Sequence, residues 1–215
     1  MIEVFARLAT AAALTLSLAA EVSAEVPNDA ADVRPILTGA KAPKFSATAA
    51  DGSQYTFNPD ALEKPAIITF YRGGWCPYCN LHWAELRKIE DQLLELGMDL
   101  IFLSADSPEV LADAVEPGEE LPYHLLSDNS TSIAEAFGIA FQLDAETVER
   151  YKGYNIDLEA VSGYDHHRLP APAVFLIDLE GKVSFQYVNP DYSVRLHPDV
   201  LLAAARTMPG RELKR

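Results

Sequence analysis

Residues 66–103, AIITFYRGGWCPYCNLHWAELRKIEDQLLELGMDLIFL, decide the fold. Ala66-Ile67-Ile68-Thr69-Phe70-Tyr71 is almost wholly apolar and rich in β-branched side chains, with little polar alternation. That is the pattern of a strand buried on both faces in mid-sheet. Gly73-Gly74 ends it. Pro77 suits a first helical position, where its missing N–H costs nothing. Leu86, Ile89, Leu93 and Leu96 recur at helical spacing, and Gly97 fits the position just past a helix end. Leu100-Ile101-Phe102-Leu103 is a second buried strand. Strand, long helix, strand is a βαβ unit with parallel pairing and a right-handed crossover.

Upstream, Lys44–Thr48 and Tyr55–Phe57 flank Asp51-Gly52, which predicts a β-hairpin. Downstream, Ser107-Pro108-Glu109 reads as a capped helix start, Leu125-Leu126 as a short strand, and Thr131–Phe137 as a helix stopped by Gly138. Residues 144–168 are polar and aromatic and read as an insertion, with helix near Glu146–Lys152. Ala173–Ile177 is another buried strand. Glu180-Gly181 turns the chain, Lys182–Tyr187 returns antiparallel, and Pro198–Met208 forms a last helix. A βαβ half followed by a ββα half makes one α/β sandwich.

The chain has 215 residues and a net charge of −15. Nucleic-acid and anionic-membrane partners are excluded on this charge, because both require clustered Lys and Arg. Residues 8–20, LATAAALTLSLAA, with Val22-Ser23-Ala24 behind them, fit a secretory leader cleaved after Ala24. The expected organisation is a signal peptide over 1–24, a linker over 25–40 that carries Pro, Asn, Asp and Gly, and one domain over 41–215. The expected location is periplasmic or secreted, with no membrane attachment after cleavage.

Only two cysteines occur, Cys76 and Cys79. A bridge between them closes almost no loop and adds little stability, since that gain grows with loop length. The pair therefore reads as reactive. Cys76 falls at the N-cap of the helix and Cys79 one turn later on the same face, so the sulfurs can meet. The helix terminus offers partial positive charge and free N–H groups, which favour thiolate over thiol. Arg72 adds charge nearby and Trp75 an apolar wall. The expectation is an exposed, attacking thiolate at Cys76 and a sheltered resolving thiol at Cys79. Without a second Cys pair, a structural zinc site would need His partners.

The segment TFYRGGWCPYCNLHWAEL, the opening APKF, the turn Asp51-Gly52, Leu169-Pro170-Ala171-Pro172-Ala173 and the closing Asn189-Pro190-Asp191-Tyr192 together resemble the peroxiredoxin-like (AhpC/TSA, redoxin) branch of the thioredoxin-fold superfamily. The resemblance runs from about Ala42 to Met208. It implies a thioredoxin-like α/β fold with a central mixed sheet flanked by helices. It also implies hydroperoxide reduction or thiol-disulfide exchange without a cofactor or metal, and a dithiol reductant such as a thioredoxin-like protein. Thioredoxin-fold proteins place a cis-proline beside the Cys pair. Pro172 is the matching position, and the implied substrate-binding residues are Pro172, Trp75 and Arg72.

Peroxiredoxins share a Pro-xxx-Thr-xx-Cys segment. With Cys79 in its Cys position, Cys76 occupies the Thr position and Arg72 the Pro position. The Arg that peroxiredoxins carry before the late strand is replaced by Pro172 and Ala173, and the buried acid of thioredoxins has no equivalent in Ala66–Tyr71. An alternative reading is a copper-handling chaperone, since thiolates select Cu(I) and His166 and His167 precede Pro172. His82, Trp83, His124, His197 and the acidic run Glu116, Glu119, Glu120 read as structural or solvated.

Overall fold

A computed structural model of the chain describes residues 25–116 and 118–208. The leader expected over 1–24 lies outside the described residues. The elements run β1 (Phe45–Ala49), β2 (Gln54–Phe57), β3 (Ala66–Tyr71), α1 (Pro77–Arg87), α2 (Glu90–Glu95), β4 (Asp99–Ser104), α3 (Pro108–Asp113), β5 (His124–Ser127), α4 (Ser132–Ala136), β6 (Ala140–Gln142), α5 (Ala145–Gly153), α6 (Leu158–Ser162), β7 (Arg168–Pro170), β8 (Ala173–Ile177), β9 (Val183–Val188) and α7 (Pro198–Arg206). Seven strands form one mixed sheet in the order β2-β1-β5-β4-β3-β8-β9. β3 pairs in parallel with β4 and antiparallel with β8, as the βαβ and ββα readings require.

The central strand explains the two-layer core. Successive side chains of a strand face opposite sides, so Ala66, Ile68 and Phe70 enter one apolar cluster while Ile67 and Tyr71 enter the other. The first cluster packs α4 against the sheet, to which β1 and β2 contribute Phe45 and Phe57 beside Phe137. The second packs α1, α2 and α7 through Leu86, Leu93 and Leu201, and includes both cysteines. Asp51-Gly52 makes the hairpin turn: Gly52 takes φ +81, and Ser53 N–H donates to Asp51 Oδ1 at 2.9 Å. Residues 25–40 lie along the first face, where Arg34 N–H and Ile36 N–H donate to the carbonyls of Gly138 and Phe137.

Three local expectations change. The long helix is two helices, because Ile89 leaves the helical region at φ −113, ψ 3. A new N-terminus at that point lets Leu93 keep its core contact on a shifted axis. The insertion holds two helices, α5 and α6, capped by Asp144 and Asp157, and it is bracketed by a small β6–β7 sheet. α7 ends at Arg206, short of the expected Met208.

Candidate active site

The site forms where β3 ends. Gly73 has φ +150, and a Cβ on it would lie 2.3 Å from the Trp75 indole nitrogen and 2.6 Å from Asp106 Oδ1. Only a residue without a side chain lets the loop pass this closely. Gly74 N–H donates to Asp106 Oδ2 at 2.8 Å, and Ser104 Oγ donates to the same oxygen at 3.1 Å. The β3 loop is thus moored to the end of the neighbouring strand. From it the chain enters α1 with Cys76 as N-cap, in an extended conformation and without a side-chain capping bond, and with Pro77 first in the helix.

The sulfurs meet. The Cys79 thiol and the Cys79 backbone N–H both donate toward the Cys76 sulfur, and the Arg72 and Arg195 guanidinium charges lie nearby. These effects outweigh burial and hold the Cys76 thiol down to about 6, with the Cys79 hydrogen bond the largest of them. The same hydrogen bond, together with burial, pushes Cys79 strongly up. The direction is opposite for the two sulfurs: the site favours a thiolate at Cys76 and a retained proton at Cys79. Both cysteines are free.

Two guanidinium groups supply the positive field. Arg195 Nη2 stands 3.3 Å from the Cys79 sulfur and 3.9 Å from that of Cys76. Arg72 is only 3% exposed. Its guanidinium carbon lies 4.3 Å from the Tyr192 ring centroid, 5.1 Å from Trp75 and 5.3 Å from Tyr151, and it donates to the Tyr151 hydroxyl. Among the described residues no carboxylate pairs with Arg72 or Arg195, and the Nε of each lacks a partner. A buried cation without a counter-ion is costly. Here the Cys76 thiolate and the ring faces offset that cost.

Several expectations need correction. Cys76 is not exposed: it retains 1% of its surface, because the sulfur belongs to the same apolar cluster as Leu196 and Leu201. Pro172 is not a cis-proline, since the described residues contain no cis peptide bond. Nor does it offer a free backbone edge: it is buried, and its carbonyl accepts from Asn189 N–H at 3.2 Å. Of the three residues expected to bind substrate, the structure therefore gathers Arg72 and Trp75 around the sulfurs and leaves Pro172 buried just ahead of β8.

The copper reading loses its histidines. His166 Nδ1 accepts from Arg168 N–H and Nε2 donates to the Asn129 carbonyl, both at 2.9 Å. His167 Nε2 pairs with Glu159 at 2.8 Å. His124 is held by Asp99 at 3.2 Å, and His197 caps α7. His82 is half-buried rather than solvent-facing, and lies close enough to Arg195 to feel its charge.

Sequence reasoning missed Arg195, Tyr192, Tyr151 and Asp106. Tyr192 ends the Asn189-Pro190-Asp191-Tyr192 segment, which carries a resemblance but no site role in the sequence, and Arg195 follows it three residues later. Tyr151 comes from the insertion, lying over Trp75 with ring centroids 5.7 Å apart. Asp106 is a buried acid beside the Cys loop, but it stands after β4 rather than in β3. Burial pushes its carboxyl up.

Comparisons with known proteins place the fold and the family. Residues 38–186 match the model of the AhpC/TSA family. The peroxiredoxin Bcp of Escherichia coli (strain K12) is 31% identical over 170 residues, covering 79% of this chain and 96% of that protein. The thiol-disulfide oxidoreductase ResA of Bacillus cereus is 23% identical over 71% of this chain and 70% of its own length. Among solved structures, peroxidoxin BcpB from Mycobacterium tuberculosis superposes with a TM-score of 0.57 at 21% identity, over 79% of this chain and 96% of that one. That likeness shows the fold.

Proposed function

The chain belongs to the AhpC/TSA family, and we propose on that footing that it is a thiol peroxidase in which Cys76 attacks the hydroperoxide and Cys79 closes the disulfide. One observation carries the reading: a sulfur at the mouth of α1 accepts the neighbouring thiol's hydrogen bond and faces two guanidinium groups that have no carboxylate partner. Such a sulfur is ionised at neutral pH and lies in a field that stabilises developing negative oxygen.

The Cys76 thiolate attacks one oxygen of the hydroperoxide. The O–O bond breaks, Cys76 becomes a sulfenic acid, and the other oxygen leaves as an alcohol or water once protonated. Arg195 donates toward that departing oxygen. With Cys76 oxidised, its negative charge is gone and Arg195, already nearer Cys79, favours the second thiolate. The Cys79 sulfur attacks the Cys76 sulfur, the S–O bond breaks, water leaves and the disulfide forms. A dithiol reductant returns two electrons and two protons through a mixed disulfide.

The burial of Cys76 favours the smaller of the two substrate classes. A sulfur with 1% of its surface exposed is open to a small hydroperoxide sooner than to the disulfide of a folded protein. The test is the second-order rate of oxidation of the reduced protein by hydrogen peroxide. The reading requires a rate orders of magnitude above that of free cysteine, and a rate equal to free cysteine refutes it. The leader-like pattern of residues 8–24 supports action outside the cytoplasm on a thioredoxin-like reductant there. Mass analysis of the protein from its native host checks this: a mature chain beginning at Glu25 is the expected result, and an intact leader on soluble cytoplasmic protein contradicts it.

A further inference from the structure

Closing the disulfide requires Cys79 to lose its proton, which burial still opposes after the Cys76 charge is gone. The peroxidase reading leaves the destination of that proton open. His82 stands one helical turn after Cys79 on the same face of α1, the spacing at which side chains meet. Cys79 and His82 line one small cavity with Tyr71, Trp83 and Phe102. It has room for about one water.

The imidazole is prepared as an acceptor. The Leu196 carbonyl lies close enough to the ring to favour a proton on it. Nε2 is buried and has no partner among the described residues. In the tautomer that carries its proton on Nδ1, the Nε2 lone pair is free. Trp83 Nε1, from another wall of the cavity, is a buried donor that also lacks a partner. A water that accepts from the indole and donates to Nε2 satisfies both atoms. Burial and the Arg195 charge keep the ring neutral, pulling it down to about 4, so it is unprotonated before the transfer and holds an accepted proton only in transit.

We propose that His82 takes the Cys79 proton, directly or through one water, as Cys79 closes the disulfide on Cys76. This rests on the assignment of Cys76 as attacker and Cys79 as resolver. As the S–H bond of Cys79 breaks, its sulfur forms the S–S bond and the leaving group departs from Cys76 with the electron pair. The proton passes to Nε2 and from there to the leaving group or to solvent. Arg195 hastens its onward passage by disfavouring a lasting imidazolium.

An aromatic disulfide reagent with a coloured thiolate leaving group separates the steps. The reduced full chain releases one equivalent when Cys76 attacks, and a second, independent of reagent concentration, when Cys79 closes. His82→Gln is expected to leave the first release within about twofold and slow the second at least about tenfold, the lower part of the range for a lost proton acceptor. In His82→Ala, added imidazole is expected to restore the second release in proportion to its concentration, without effect on the wild type. A purely structural role predicts no rescue. A second release unchanged in both variants, a parallel loss of both releases, or failure of imidazole to rescue overturns the assignment. A wild-type chain that releases one equivalent only refutes the attacker–resolver reading itself, a separate outcome.

Discussion

Replacing Arg195 by Met removes a cation that touches both sulfurs while keeping an apolar stem of similar length. Arg195 Nη2 is 3.9 Å from the Cys76 sulfur and 3.3 Å from that of Cys79. A full charge at about 4 Å near a protein surface is worth about 4 kcal/mol before solvation. Arg195 is partly exposed, and it is the smallest of the four influences that lower Cys76, after the two hydrogen bonds from Cys79 and the Arg72 charge. Most of the gross figure is therefore lost to solvent, which leaves about one pKa unit, or about 1.4 kcal/mol. The Cys76 midpoint should rise from about 6 to about 7.

The consequence for reactivity changes sign with pH. At about pH 5 the thiolate fraction falls about tenfold, and the greater nucleophilicity of a more basic thiolate recovers about threefold. Alkylation by iodoacetamide then slows about threefold. At about pH 8 both proteins are mostly ionised, and the variant alkylates about twofold to threefold faster. Hydrogen peroxide behaves differently, because the guanidinium also serves the departing oxygen: its rate falls at both pH values. Alkylation profiles and ultraviolet thiolate absorbance measure the midpoint. An unmoved or lowered midpoint, or a peroxide rate that follows the alkylation rate at about pH 8, refutes the role given to Arg195.

Other expected outcomes follow from the same geometry. Cys79→Ala should trap a stable adduct on Cys76 that thiol-labelling gels detect, and should raise the Cys76 midpoint because its largest stabilising hydrogen bond is gone; Cys76→Ala should form no adduct. Tyr151→Phe removes the hydroxyl that accepts from buried Arg72; at about 2 kcal/mol for a hydrogen bond to a charged group, the melting temperature should fall by about 4–8 °C. Gly73→Ala forces a Cβ against Trp75 and Asp106, whereas Gly52→Ala, also at positive φ, meets open space. Thermal melts should show the Gly73 variant the less stable of the two by about 2 kcal/mol or more.

The parts of the fold that were legible in the sequence are those written in local pattern. Ala66–Tyr71 announces a central strand by being apolar on both faces, and Pro77 with the leucine spacing announces the helix that carries the pair. Asp51-Gly52 announces its hairpin in the same way. Elements that depend on packing were less legible. The break at Ile89 satisfies helix periodicity on either side, so spacing alone does not reveal it. Pro172 looked like a site residue because it precedes a buried strand, but the bond from Asn189 N–H that occupies its carbonyl comes from the far end of β9.

The candidate site divides in the same manner. Cys76 and Cys79 were readable because both lie within one helical turn. Arg195 is 119 positions from Cys76 and reaches it only because the segment after β9 folds back over α1. No periodicity encodes that approach. A sequence signal did exist: Arg195 is the first basic residue after Lys182 in a chain with a strong acidic excess. Tyr151 was hidden in an insertion whose polar, aromatic composition says little about where its side chains point. Asp106 is not legible because it follows β4, the neighbouring strand, and reaches the Cys loop only through sheet pairing.

The most direct test is the rate constant for hydrogen peroxide with the reduced protein, followed by mass mapping of the product. The account predicts rapid oxidation that ends in a single Cys76–Cys79 disulfide. Oxidation no faster than that of a free thiol, with both cysteines still alkylatable afterwards, would contradict it.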